Sequence, residues 1–202
     1  MTLTVNLLIS AIFQVLLFSI TPFIWWLVTA RKETRFLTWL GFKKIKTHNT
    51  RTYLASFLFV SFVFVIPGYM VVLFFMDASA MATSQFIGKG MAAFIPVLIY
   101  AFLQTGLSEE LFFRGFLTKR LIHQFGFQLG NSIQGLLFGC MHGAFFITLL
   151  SPIQLLIIIL ITGVGGYLLG WINEKQSNGS ILSSWLTHGI VNTISSAWAL
   201  FS

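Results

Sequence analysis

Three ionisable side chains stand at the edge of a long apolar run in Gly106-Leu-Ser-Glu-Glu-Leu-Phe-Phe-Arg114. Removing such groups from water costs several kcal/mol, about 2.5 or more at a bilayer centre, so they persist as functional groups or as buried pairs. Glu110 and Arg114 are four apart with the acid on the N-terminal side, the order that favours an ion pair on a helix. Glu109 is turned by about 100° from Glu110 and can present its carboxylate to another helix, which makes it the freer acid–base candidate. His142 closes the run Phe138-Gly-Cys-Met-His, about 18 Å along a helix that begins near Gly130. Beside it Gly135, Gly139 and Gly143 recur at steps of four, a stripe that lets another helix backbone approach closely. His188 and Asn192 leave one helix face together; an amide N–H suits an oxyanion, and an imidazole can donate likewise or bind a metal. The single cysteine, Cys140, permits no intramolecular disulfide. It lies nearly opposite His142 on a helix and reads as a packing residue. His48 and His123 fall in basic stretches and read as solvated.

The elements that carry these residues must be membrane helices. Of 202 residues, 56% are hydrophobic and 8% charged, far from the roughly 25% charged content of soluble domains. Too few charges remain to solvate the surface of a soluble helical protein. Six apolar stretches each supply the ~20 residues that a span needs, at about 3–29, 53–76, 90–112, 130–150, 153–172 and 181–201. The first lacks a basic n-region and a small-residue cleavage site and reads as a retained helix. The expected fold is therefore all-α: a polytopic membrane helix bundle with about six transmembrane helices, forming one integral domain over 1–202. Within it, 1–52 is a first span plus a basic segment, and 90–202 is the core that carries the polar residues.

Arg31, Lys32, Arg35, Lys43, Lys44, Lys46 and Arg51 lie between the first two spans, which places that loop in the cytoplasm and both termini outside. Counting forward puts Asp77 to Lys89 outside and Lys119, Arg120, His123, Glu174 and Lys175 inside. Glu109, His142 and His188 then share the cytoplasmic half or the midplane, where one water-filled cavity can join them. The basic 31–51 segment interleaves Phe36, Leu37, Trp39, Leu40, Phe42 and Ile45 with its cations, the pattern of an amphipathic interfacial helix on anionic lipid. The net charge of +7 is thereby accounted for without nucleic acid.

In order and in type, these motifs resemble those of the CPBP family, the CAAX-prenyl-protease and bacteriocin-processing (Abi-type) intramembrane proteases. The family's EExxxR pattern corresponds to Glu109, Glu110 and Arg114, its FxxxH pattern to Phe138 and His142, and its HxxxN pattern to His188 and Asn192. The resemblance implies a peptide hydrolase of a smaller, prokaryotic cell-membrane type, acting on a hydrophobic or lipidated peptide in bacteriocin or peptide-signal processing or in self-immunity. It further implies that Glu109 and His142 activate a water, that His188 and Asn192 stabilise the oxyanion, and that Glu110, Arg114 and Phe138 support the site or bind substrate. Glu109, His142 and His188 could hold a divalent metal such as zinc with an open fourth position, or act without metal as a glutamate-type protease. Other readings use the same residues differently: a rhomboid-type serine protease built on Ser108 and His188, a non-catalytic immunity or scaffold protein, and a proton-coupled transporter.

Overall fold

The structure is a computed structural model that describes residues 2–75 and 81–201. Every element among them is helical. The long helices are α1 (Leu3–Thr29), α3 (Thr50–Phe75), α5 (Lys119–Phe145), α6 (Pro152–Trp171) and α7 (Leu182–Phe201), with a five-residue α2 (Phe36–Leu40) and a short α4 (Phe94–Leu98). Between α4 and α5 the chain stays helical but widens into two π-helical stretches, Ile99–Leu107 and Glu110–Thr118, and a third, Ile172–Gln176, follows α6. A hydroxyl in or just after each stretch donates to the carbonyl five residues back: Thr105 to Tyr100, Thr118 to Phe113 and, at the residue that ends the third stretch, Ser177 to Ile172.

Among the described residues four segments, rather than the six expected, are long and apolar enough by themselves to cross a membrane: Leu3–Thr29, Thr50–Met70, Gly90–Phe145 and Pro152–Gln176. Two differences explain the count. First, the expected loop carrying Lys119, Arg120 and His123 is helix, so the third and fourth stretches join into one run of 56 residues. As a straight helix that run would reach about 84 Å at 1.5 Å per residue; it folds back at Gly126 instead, whose φ of 76° and ψ of 168° lie where glycine alone is at ease. Phe113 and Phe138 face each other across this hairpin with ring centroids 5.0 Å apart. Second, α7 is 20 residues long, but Ser183, Ser184, Thr187, His188 and Ser196 on its buried side dilute its hydropathy.

The glycine stripe of α5 seats α6. A Cβ on Gly135 would come within 2.8 Å of the Gly163 carbonyl, and one on Gly139 would strike the carbonyl of Ile159. α6 itself begins with a capping box on Ser151 and Gln154 and with Pro152 in its first turn. α7 docks on the first π stretch, where Phe102 covers Gly189 and the Trp185 indole donates to the Phe102 carbonyl at 2.7 Å.

The basic segment differs from the expected interfacial helix. Its helical part is α2 alone, ended by Gly41 at φ 90°. Leu40 is fully buried against Leu111, Phe116 and Ile181, and Trp39 sits beside Phe116 with the Arg120 guanidinium 4.1 Å over its ring. Phe36, Trp39, Leu40 and Phe42 have found protein partners, and a left-handed glycine stops the helix after five residues. Gly41 accepts from Ile181 N at 3.0 Å, Lys43 O accepts from the Ser180 hydroxyl at 2.6 Å, and Lys119 bridges Glu174 at 2.7 Å and the Gly179 carbonyl at 2.9 Å. One end of the bundle thus gathers Lys43, Lys119, Arg120, Glu174 and Lys175. Of the expected Asp77 to Lys89 loop, Asp77 lies outside the described residues; Ala82–Phe86 and Gly90–Ala93 form 3₁₀ turns, and Gly88 N donates to Ala199 O at the far end of α7.

Candidate active site

Ser108 and Glu109 sit at the junction of the two π stretches, a local widening that recurs at functional sites. Glu110, with no exposed surface, is the electrostatic centre. Its Oε1 accepts from Arg114 Nη1 at 2.9 Å and lies 3.0 Å from His188 Nδ1, and its Oε2 accepts from the Ser184 hydroxyl. Arg114 is equally buried, and its Cζ lies 4.1 Å above the centre of the Phe138 ring. That cation–π contact covers a guanidinium whose Nε and Nη2 have no hydrogen-bond partner among the described residues. The ion pair expected from the i, i+4 spacing is therefore formed.

Glu109 points elsewhere, as its rotation along the helix implied. Its Oε2 is buried, has no hydrogen-bond partner among the described residues, and lies 3.8 Å from His188 Nε2. His142 holds its Nδ1 2.9 Å from the Phe138 carbonyl one turn back. Both imidazoles thus have Nδ1 engaged, by a backbone carbonyl in one case and by a carboxylate in the other, which leaves Nε2 to face the site. Phe138, fully buried, stands against both rings, with centroids 4.4 Å from His142 and 6.2 Å from His188.

Asn192 is one turn further along α7. Its Nδ2 donates to Thr105 Oγ1 at 2.8 Å, which leaves its second amide hydrogen for another acceptor. Ser108 bonds the Gln104 and Thr105 carbonyls and accepts from Gln14 at 3.2 Å; among the described contacts no imidazole reaches it. His48 and His123 are exposed, away from this cluster, and Cys140 is exposed on the face of α5 away from His142.

Three contributors were not singled out in the sequence. Ser184 precedes His188 by four residues, so the face it shares with His188 was readable from spacing. Asn173 donates to Ser184 Oγ at 2.7 Å and accepts from Ser184 N at 3.1 Å, a contact that depends on how the turn after α6 meets α7. Thr105 meets Asn192 across 87 residues, and no local pattern signals it.

A family model described as type II CAAX prenyl endopeptidase Rce1-like matches residues 91–194. The chain belongs to this family. No curated protein and no solved structure matches it. The matched region opens beside α4 and closes two residues after Asn192, so it contains every residue of the cluster. The Rce1-like family and the apolar helices together mark a membrane protein and imply a protease.

For a divalent metal, the donors are suitable in kind. Glu109 offers an unpartnered carboxylate oxygen, and His142 and His188 each offer Nε2. A histidine whose second nitrogen meets a carboxylate, as His188 meets Glu110, is the usual support of a zinc-bound imidazole. Among the described residues, no three such side chains gather at a spacing that would hold an ion.

Proposed function

We propose that this Rce1-like chain is an intramembrane endopeptidase that hydrolyses a peptide bond in a hydrophobic or membrane-associated peptide. The observation that carries the proposal is Glu109, a buried carboxylate with a free oxygen, 3.8 Å from an imidazole that a second carboxylate holds in place. Glu109 takes a proton from water, and His142 orients that water through the lone pair on Nε2, as general-base attack on a carbonyl requires; when the tetrahedral adduct collapses, the C–N bond breaks and Glu109 returns that proton to the leaving amine. His188, donating through Nε2, and Asn192, through its second amide hydrogen, meet the oxyanion. Each such donor typically contributes about 3–4 kcal/mol. The short Glu109–His188 separation suits this division, because base and oxyanion donor must both reach one tetrahedral carbon. Glu110, held by Arg114, fixes the His188 ring.

A groove of ≈ 550 Å³ supports a hydrophobic substrate. It is lined by Leu17, Phe18, Phe112, Phe113, Leu137 and Met141, and Phe113 also packs on Phe138 and lies beside Arg114. By the positive-inside rule, the end that gathers Lys43, Lys119 and Arg120 is cytoplasmic, and the bundle crosses the bilayer six times, counting the hairpin at Gly126 as two crossings and α7 as one.

The decisive experiment incubates purified, reconstituted protein with a panel of hydrophobic peptides and reads the products by mass spectrometry. Glu109→Gln should lower cleavage by roughly 10²–10⁴-fold, while Ser108→Ala should leave most of it. No cleavage of any peptide, together with cellular activity preserved in Glu109→Ala, would point to a scaffold or immunity role.

A further inference from the structure

The turn after α1 forms a second cavity that the proteolytic reading does not use. It measures ≈ 660 Å³ and is lined by Trp26, Arg31, Lys32, Glu33, Thr34, Arg35, Phe36 and Thr38. Its frame is built. Glu33 N and Thr34 N both bond the Ala30 carbonyl, at 3.0 and 3.2 Å, and the Trp26 indole donates to Thr34 O at 2.9 Å. Phe23, Trp26 and Phe36 pack as a triad beneath it, with centroid separations of 5.3 to 5.6 Å. Three exposed cations, Arg31, Lys32 and Arg35, meet one acid, Glu33. The cavity also adjoins apolar surface: Val28 is 80% exposed, and Trp25, Ile24 and Leu37 are each about half exposed. Cations beside aromatic and aliphatic surface fit a molecule with an anionic head and an apolar tail better than they fit a free anion.

We propose that this cavity binds the phosphodiester headgroup of an anionic phospholipid, with the acyl chains lying against the exposed apolar face of α1. The site also has a route to the catalytic elements. Arg35 caps α2, whose Leu40 and Trp39 pack on the π stretch that carries Glu110 and Arg114; a Cβ on Gly115 would come within 3.1 Å of the Leu40 carbonyl. A lipid that holds the turn therefore steadies the strap over that stretch. The proposal does not depend on peptide hydrolysis, so binding tests it directly.

The test is lipid retention by the detergent-purified full chain, measured by native mass spectrometry with phosphatidylglycerol, phosphatidylcholine or inorganic phosphate at several ionic strengths. Phosphatidylglycerol should bind at least about tenfold more tightly than phosphatidylcholine, less so as salt rises. Losing two cavity cations in Arg31→Gln/Arg35→Gln should weaken it by roughly thirtyfold. Lys44→Gln/Lys46→Gln removes equal charge outside the cavity and should change little. All four side chains are exposed, and melting curves matching wild type would confirm that the variants fold. Equal binding of the two lipids, or equal weakening by the two double variants, would overturn the proposal. So would inorganic phosphate binding at Arg31 and Arg35 as tightly as the lipid does.

Discussion

At the scale of residues, the site rests on one carboxylate with three direct hydrogen-bonding and ionic partners. Glu110 meets Arg114, His188 and Ser184 directly, and Asn173 reaches it through Ser184. Ser184→Ala leaves Glu110 Oε2 and the Asn173 amide each short of a partner inside the protein, at a cost of about 1–3 kcal/mol in stability. It also loosens the His188 ring, so kcat should fall while KM stays near wild type. Asn173→Ala removes the donor to the Ser184 hydroxyl and should do the same to a smaller degree. The double variant should be no worse than Ser184→Ala in kcat, because the two residues form one chain; additive losses in the same kinetic assay would separate them. Arg114→Met exposes the other side of this arrangement. Leaving Glu110 buried without its cation costs about 3–5 kcal/mol, which a thermal melt would register as a large drop that Glu110→Gln in the same chain partly restores. The Glu110–Arg114 pair and the separate direction of Glu109 were legible in the sequence because helix geometry sets both. The Asn173 and Thr105 contacts were not, since each depends on how two distant segments dock.

At the scale of elements, glycines decide where helices turn and how closely they meet. The close approach along Gly135, Gly139 and Gly143 was readable from the step of four, and α6 proves to be the partner. The turn at Gly126 was not: it lies in Gln124-Phe-Gly-Phe127, with no proline or polar cluster to mark an end, and the charges around Lys119 read as a loop. Those charges are helical because Lys119 has a partner, Glu174, 55 residues away. Two substitutions separate the roles of the glycines. Gly126→Ala meets no atom within 4 Å but must hold φ at 76°, a conformation that costs a side-chain-bearing residue about 1–3 kcal/mol. Gly139→Ala has ordinary helical geometry but drives a methyl into the Ile159 carbonyl, and overpacking of this kind also costs about 1–3 kcal/mol. Gly68→Ala, with open space around it, should be neutral or stabilising by up to about 1 kcal/mol. Denaturation midpoints of the three variants would test this order; a loss in Gly68→Ala equal to the other two would show that helix glycines act here through something other than contact or φ.

At the scale of the whole molecule, charge and contact agree on which end is which. α5 runs away from the Lys119–Glu174 bridge and α6 returns to it, so the connection around Ser151 lies at the opposite end of the bundle from Lys43. α7 starts beside Gly41 and ends beside Gly88, which adds the N-terminal part of α1 to that opposite end through Leu7, Phe86 and Leu200. The cationic cluster therefore occupies one face and the Ser151 connection the other, and the positive-inside rule turns this geometry into an orientation. In a Cys140→Ser background, Ser151→Cys should react with a membrane-impermeant maleimide in intact cells, whereas Lys44→Cys should react only after the membrane is opened. Both positions are exposed, so labelling reports sidedness rather than burial. The reverse pattern would invert the protein and place Arg31 and Arg35 outside. Labelling of both positions from one side would mean that α5 and α6 do not cross as a pair, and the cluster around Glu109 would then lie at the membrane surface rather than within it.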